Sequence, residues 1–265
     1  MDQAHLLVEL ENAVSLMAQA VGEADPTAPV LACPGWSVAD LIDHVGCVHL
    51  WAAQAARSGA RPDPFPVRDQ RGRALAQWYA DCARELVETL AGLDPNGPAW
   101  TFSAKNRTVG FWYRRQLHET TVHWVDVLLA AGQPIPQSPE LTADVATDGV
   151  DEVLTFFMPG QLRRAGPDLA TRVAAPLVLS CTDTPATWQV EVASDAVTVN
   201  RLDGTRGQHR PERDGDVDGA SAAGQIAGSA VELYLALWNR CDRSDLRLSG
   251  DTAAARAFLA TTLVP

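Results

Sequence analysis

Glu119 and His123 lie four residues apart in Arg115-Gln116-Leu117-His118-Glu119-Thr120-Thr121-Val122-His123. On a helix that spacing puts both side chains on one face, where a carboxylate and an imidazole can share a divalent metal. His118 is five positions before His123, so the two histidines point in different directions and the zincin pattern, with histidines four apart, is absent. A catalytic metal takes three protein ligands and keeps a position open. His44 is the best candidate for the third. It sits beside the apolar stripe of its helix, in line with Leu41, Val48 and Trp51. His49 is the rival on the other flank, while His5 opens the first helix and His209 falls in a polar loop. A histidine near an apolar face is more often a hydrogen-bonded core residue than a ligand, and Glu–His pairs at this spacing arise by chance, so spacing alone leaves the metal open.

These residues need helices to hold them. Leu6, Leu10, Val14, Met17 and Val21 recur at helical spacing and predict a helix over His5–Val21. Pro34-Gly35-Trp36 is a turn, and Ser37-x-x-Asp40 is a capping-box signal for a second helix that ends near Ser58-Gly59. A third runs from about Arg71 to Leu90 and a fourth from about Gly110 to Ala131, making a four-helix bundle over residues 1–135. Gly132 to Pro139 is rich in proline and reads as a linker. Beyond it, residues 140–265 read as α+β. A helix is expected over Glu140–Phe157 and strands over Arg172–Ser180, Thr187–Ala193 and Ala196–Leu202. An exposed loop over Asp203–Asp218, a long helix over about Ala220–Arg240, a short strand at Leu246–Leu248 and a last helix from Thr252 complete the domain.

Composition bounds the partners. The net charge of −12 argues against nucleic acid and against an anionic membrane surface, since both are met by basic patches. No apolar run approaches the ~20 residues that span a bilayer, and no basic-then-apolar leader opens the chain, which points to the cytoplasm. The five cysteines show no C-x-x-C spacing and read as buried reduced thiols. None falls between Arg115 and His123, although Cys47 is one turn beyond His44.

Cys33-Pro34-Gly35-Trp36-Ser37-Val38-x-Asp40-Leu41-x-x-His44 and Arg115-x-x-His118-Glu119-x-x-x-His123 resemble the two metal motifs of the DinB-like, mycothiol-dependent maleylpyruvate isomerase family. Gly228-Ser229-Ala230-Val231-Glu232-Leu233, Leu237-Trp238-Asn239-Arg240 and Leu246-Arg247-Leu248-x-Gly250-Asp251 resemble features of its C-terminal half. The resemblance implies a DinB-like four-helix bundle followed by a small sterol-carrier-like α+β domain. It also implies zinc held by His44, Glu119 and His123, and an arginine from the second domain, Arg240 or Arg247, at the active site. The implied cosubstrate is mycothiol, which as a metal-bound thiolate would attack a small electrophilic substrate, in cis–trans isomerisation or in S-transfer. A metal-dependent hydrolase using the same site and a non-catalytic DinB-like stress or binding protein are the alternatives.

Overall fold

The computed structural model describes residues 1–68, 74–136, 139–165, 176–193, 197–202 and 223–264. The chain divides into two compact units, Met1–Pro136 and Gln137–Pro265. Among the described residues, no helix is long and apolar enough to cross a membrane.

The first unit consists of α1 (Gln3–Glu23), α2 (Val38–Ser58), α3 (Leu75–Ala91) and α4 (Val109–Ala130). The expected start of α3, over residues 71–73, lies outside the described residues. Helix α1 packs on α3 and α4, and α2 packs on α3 and α4. Leu10, Met17, Leu41, Ile42, Leu86, Leu90, Trp112 and Leu117 fill the core between them. The α2 entry follows its sequence signal. Ser37 Oγ accepts from the Asp40 amide at 3.3 Å, and the Asp40 carboxylate accepts from the Ser37 amide at 2.9 Å. Both capping partners therefore satisfy amides that the first helical turn leaves unpaired. Helix α4 differs from an ordinary amphipathic helix. It buries Arg115, Gln116, His118, Thr120, Thr121 and Asp126 along with its apolar residues. The Thr120 and Thr121 hydroxyls donate to carbonyls four residues back, at 2.7 and 2.8 Å, which makes their burial tolerable.

The second unit opens with α5 (Ala143–Glu152), capped by Thr142, and widens to a π-helical turn over Val153–Phe157. Helix α6 (Met158–Ala165) follows directly. Helical structure therefore continues beyond Phe157, where the expected helix over Glu140–Phe157 ends. The wider turn precedes Pro159, whose missing N–H removes a ladder bond, and the chain stays helical through it. A five-stranded mixed sheet has the order β3-β2-β1-β4-β5, with β1 (Leu177–Cys181), β2 (Thr187–Val192), β3 (Val197–Arg201), β4 (Gly224–Gly228) and β5 (Arg247–Ser249). Strand β4 runs parallel to β1 in the register Leu179↔Ile226, and the other pairs are antiparallel.

Strand β4 corrects the long helix expected from Ala220. Its part over residues 220–222 and the expected loop over 203–218 lie outside the described residues. From Gly224 to Gly228 the chain is a strand, and only α7 (Ala230–Leu237) is helical, with Ser229 and Glu232 forming its capping box. Alanine-rich sequence favours helix, but pairing on both edges, to β1 and β5, outweighs a local preference of tenths of a kcal/mol per residue. Helix α7 lies tightly on α5: a Cβ on Gly149 would sit 2.2 Å from the Tyr234 ring. Trp188 ties β2 to α5 by donating Nε1–H to Asp151 at 3.0 Å. Helix α8 (Thr252–Leu259) closes the unit.

Candidate metal centre

Helices α2 and α4 bring His44, Glu119 and His123 together. Their ligand atoms lie within 4.8 Å of one another. Glu119 Oε1 is 3.4 Å from His44 Nε2 and 3.5 Å from His123 Nε2. Ligand atoms about 2.0–2.1 Å from a tetrahedral zinc ion sit about 3.3 Å from each other, so these spacings fit three donors around one ion. The imidazole planes are nearly perpendicular, at 83°, with centroids 5.7 Å apart. The donor set of two imidazoles and one carboxylate suits zinc and leaves room for an exchangeable ligand.

Each donor is held from behind. His123 Nδ1 lies 2.9 Å from Asp126 Oδ2, one turn further along α4, and Asp126 is buried. That bond places the proton on Nδ1 and leaves Nε2 as the donor atom. Arg115 Nη2 reaches the other oxygen of Glu119 at 3.3 Å. The Trp36 ring packs edge-on against His44, with centroids 5.1 Å apart. Burial pushes the Glu119 carboxyl up, but His123, His44 and Arg115 outweigh it and hold it well below the usual range, as a carboxylate. Burial pushes His123 down, but the Asp126 and Glu119 carboxylates outweigh it and raise it to about 9 in the absence of metal.

Residues 7–128 match the family model for the mycothiol maleylpyruvate isomerase N-terminal domain. The bundle belongs to that family. The fold of the whole chain is similar to two solved structures. One is a mycothiol-dependent maleylpyruvate isomerase, at 12% identity and a TM-score of 0.59; the other is a histidine-to-alanine mutant of such an enzyme, at 10% and 0.60. Each comparison covers 95% of both chains, so the match in fold extends through the second unit as well as the family's bundle. No curated protein matches the chain.

Other histidines take other places. His49 is fully buried and its Nδ1 bonds Gln116 Oε1 at 2.7 Å, a crosslink between α2 and α4. Burial pushes it down to about 4, so it is a neutral core residue. His118 is buried elsewhere on α4. His5 is exposed beside Glu9, and His209 lies outside the described residues. Arg240 and Arg247 both belong to the second unit. Arg240 follows Asn239, which takes a left-handed φ of 61°, and donates from Nη1 to the Trp238 carbonyl at 2.7 Å. Arg247 is exposed on β5.

Two features escaped the sequence reading. Asp126 stands at i+3 from His123, a spacing that marks a backing carboxylate. The thiol near the site is Cys33 and not Cys47: a Cys33, His123 and Asp126 cluster has its ligand atoms within 4.8 Å of one another. Cys47 is buried, and burial and Asp43 raise its pKa. Cys33, Cys181 and Cys241 are only partly buried, and none of the five cysteines is in a disulfide.

Proposed function

We propose that this protein is a metal-dependent, thiol-utilising enzyme that acts on a small electrophilic substrate, with mycothiol as the thiol. The reaction is an isomerisation or an S-transfer. The observation that carries the reading is the convergence of Nε2 of His44, Nε2 of His123 and Oε1 of Glu119 within bonding range of one ion. Membership of the bundle in the mycothiol maleylpyruvate isomerase N-terminal family supports the thiol. When bound, a divalent ion, zinc by its donor set, would supply Lewis acidity that favours thiolate over thiol at neutral pH.

The protein's own groups prepare that chemistry. Asp126 fixes the His123 tautomer, and Arg115 orients Glu119. Trp36 covers one side of His44 with an apolar ring. For a substrate bearing a carboxylate, we assign the anchoring role to Arg240 over Arg247. A guanidinium held against Trp238 and its carbonyl has less rotamer freedom to lose than one exposed on β5. With such a substrate, Arg240→Lys should raise KM and Arg247→Lys should not; the reverse would move the role to Arg247.

Calorimetric titration with mycothiol tests the reading. The protein as purified should carry about one equivalent of divalent metal and bind the thiol. The metal-stripped protein and Glu119→Gln should lose that binding. A metal-loaded protein that ignores mycothiol but hydrolyses substrates without it would favour the hydrolase. A protein that takes up no metal would favour the non-catalytic binding protein.

A further inference from the structure

We propose that the aromatic cluster beside the candidate metal centre is a substrate subsite, and that it takes an uncharged aryl or alkyl group joined to the reacting carbon. The inference rests on the thiol-enzyme reading above and names a substrate class for that site.

Trp51 lies seven residues beyond His44 on α2, and Trp112 lies seven before Glu119 on α4. Seven residues fall about 20° short of two full turns, so each indole shares a helix face with a candidate ligand, about 10 Å away along the axis. The two helices meet at both points. Glu119 Oε1 is 3.4 Å from His44 Nε2, and the Trp51 and Trp112 rings pack edge-on with centroids 5.6 Å apart. On α2, His44, Val48 and Trp51 are each only partly buried, so an accessible stripe runs from the imidazole to the indole.

The cluster is built outward from the core. Trp112 is buried. Trp51 packs on it and is flanked by Phe65 from the α2–α3 connection, at 5.8 Å, and by Phe102 from the α3–α4 connection, at 6.4 Å. These two outer rings each keep 45% of their surface exposed. Single exposed apolar residues are ordinary, but rings gathered over one indole make a patch of the kind that marks a binding groove. The polar atoms of the two indoles are already spent. Trp51 Nε1–H donates to the Pro62 carbonyl at 3.3 Å, and Trp112 Nε1–H donates to the Trp100 carbonyl at 2.8 Å. The rings therefore offer apolar surface and no hydrogen bond, and a charged group placed there would lose its hydration without return. A substrate whose electrophilic carbon meets a thiolate at the metal would lay its apolar group along Val48 toward Trp51.

Two thiols of equal chain length test the proposal on the full, zinc-loaded chain. Phenylhexanethiol carries a ring that can reach Trp51 from a metal-bound sulfur, and mercaptohexanol carries a hydroxyl in its place. Calorimetric titration of the parent protein should show phenylhexanethiol binding about tenfold tighter or more, the value of burying an aromatic ring. Phe65→Ala and Phe102→Ala should each cut that ratio by about threefold or more. Val8→Ala, which truncates an exposed apolar side chain on α1, should keep it. Both phenylalanines are half exposed, so their truncation spares the bundle core, and circular dichroism verifies the fold. A ratio near one in the parent protein, or a ratio that survives both substitutions, would overturn the subsite and leave the thiol reading standing. Zinc-loaded protein that binds neither thiol would overturn both, and metal analysis of the same samples shows that the ion was present.

Discussion

Asp126 Oδ2 lies 2.9 Å from His123 Nδ1, and the far nitrogen of the same ring lies 3.5 Å from Glu119. One imidazole is thus held between two carboxylates. Asp126 is the deeper of the two, with its side chain fully buried behind Nδ1. It acts through His123 by fixing the ring and raising its basicity.

Asp126→Asn keeps an acceptor of the same shape and removes the charge. It should weaken metal affinity by roughly 10–100-fold, the usual cost of losing a carboxylate behind a metal-ligating histidine. Competition with a chromophoric chelator measures this directly. An affinity equal to that of the parent protein would mean that Asp126 only packs.

His44→Ala and His123→Ala should each lose most of the bound metal, whereas His49→Ala should retain it and lose stability. The reason is geometric, since His49 spends its Nδ1 on Gln116 at 2.7 Å inside the bundle. Its removal leaves a buried amide unpaired, at a cost of about 1–3 kcal/mol. Metal analysis and urea unfolding separate the two behaviours. Loss of metal from His49→Ala with retention in His44→Ala would reverse the ligand assignment.

The clustering of the three candidate ligands was legible because they lie on two helices with strong periodicity. Glu119 and His123 share a face at i,i+4, and His44 flanks the stripe of Leu41 and Val48. What backs them was not legible. Whether Asp126 turns toward His123 depends on burial, and Cys33 approaches it only through the path of the α1–α2 loop. In the second unit, Val-, Thr- and Trp-bearing alternation marked β1 to β3. Strand β4 was hidden because Gly-Gln-Ile-Ala-Gly has no side-chain pattern of its own and takes its conformation from β1 and β5. The Ser229–Glu232 capping box, which places the start of α7 after that strand, was present in the sequence all along.

Stability should fall in mild acid through His49. Its folded pKa is depressed to about 4 from an ordinary value near 6.5, so between these values the unfolded chain binds the extra proton. Stability therefore declines as pH drops from about 6.5 to about 4, by about 3 kcal/mol for this group. His123 acts in the opposite sense in metal-free protein: its folded pKa is raised to about 9, so its contribution is nearly complete at pH 6.5 and changes little from there to pH 4.5. His49→Gln retains a hydrogen-bonding side chain but cannot titrate. Its urea midpoint should vary less between pH 6.5 and 4.5 than that of the parent. Parallel pH profiles for the two proteins would show that His49 is not the group responsible.

Metal uptake should release a proton from His123. Without metal its pKa is raised to about 9, so at neutral pH the ring is a cation held by Asp126 and Glu119. The sign for folding follows. In metal-free protein this ion pair contributes its full stability below the unfolded value near 6.5 and loses it as pH rises through about 9. For metal binding the sign is opposite, because the ion takes the Nε2 lone pair only after the proton has left. Affinity should rise by about tenfold per pH unit from this group as pH climbs from 7 toward 9, then level off. Zinc titrations in buffers of different ionisation enthalpy should count about one proton released at pH 8. Asp126→Asn, which withdraws one of the two charges, should release less at the same pH. Proton release of zero at pH 8 in the parent protein would show that His123 is already neutral before the metal arrives.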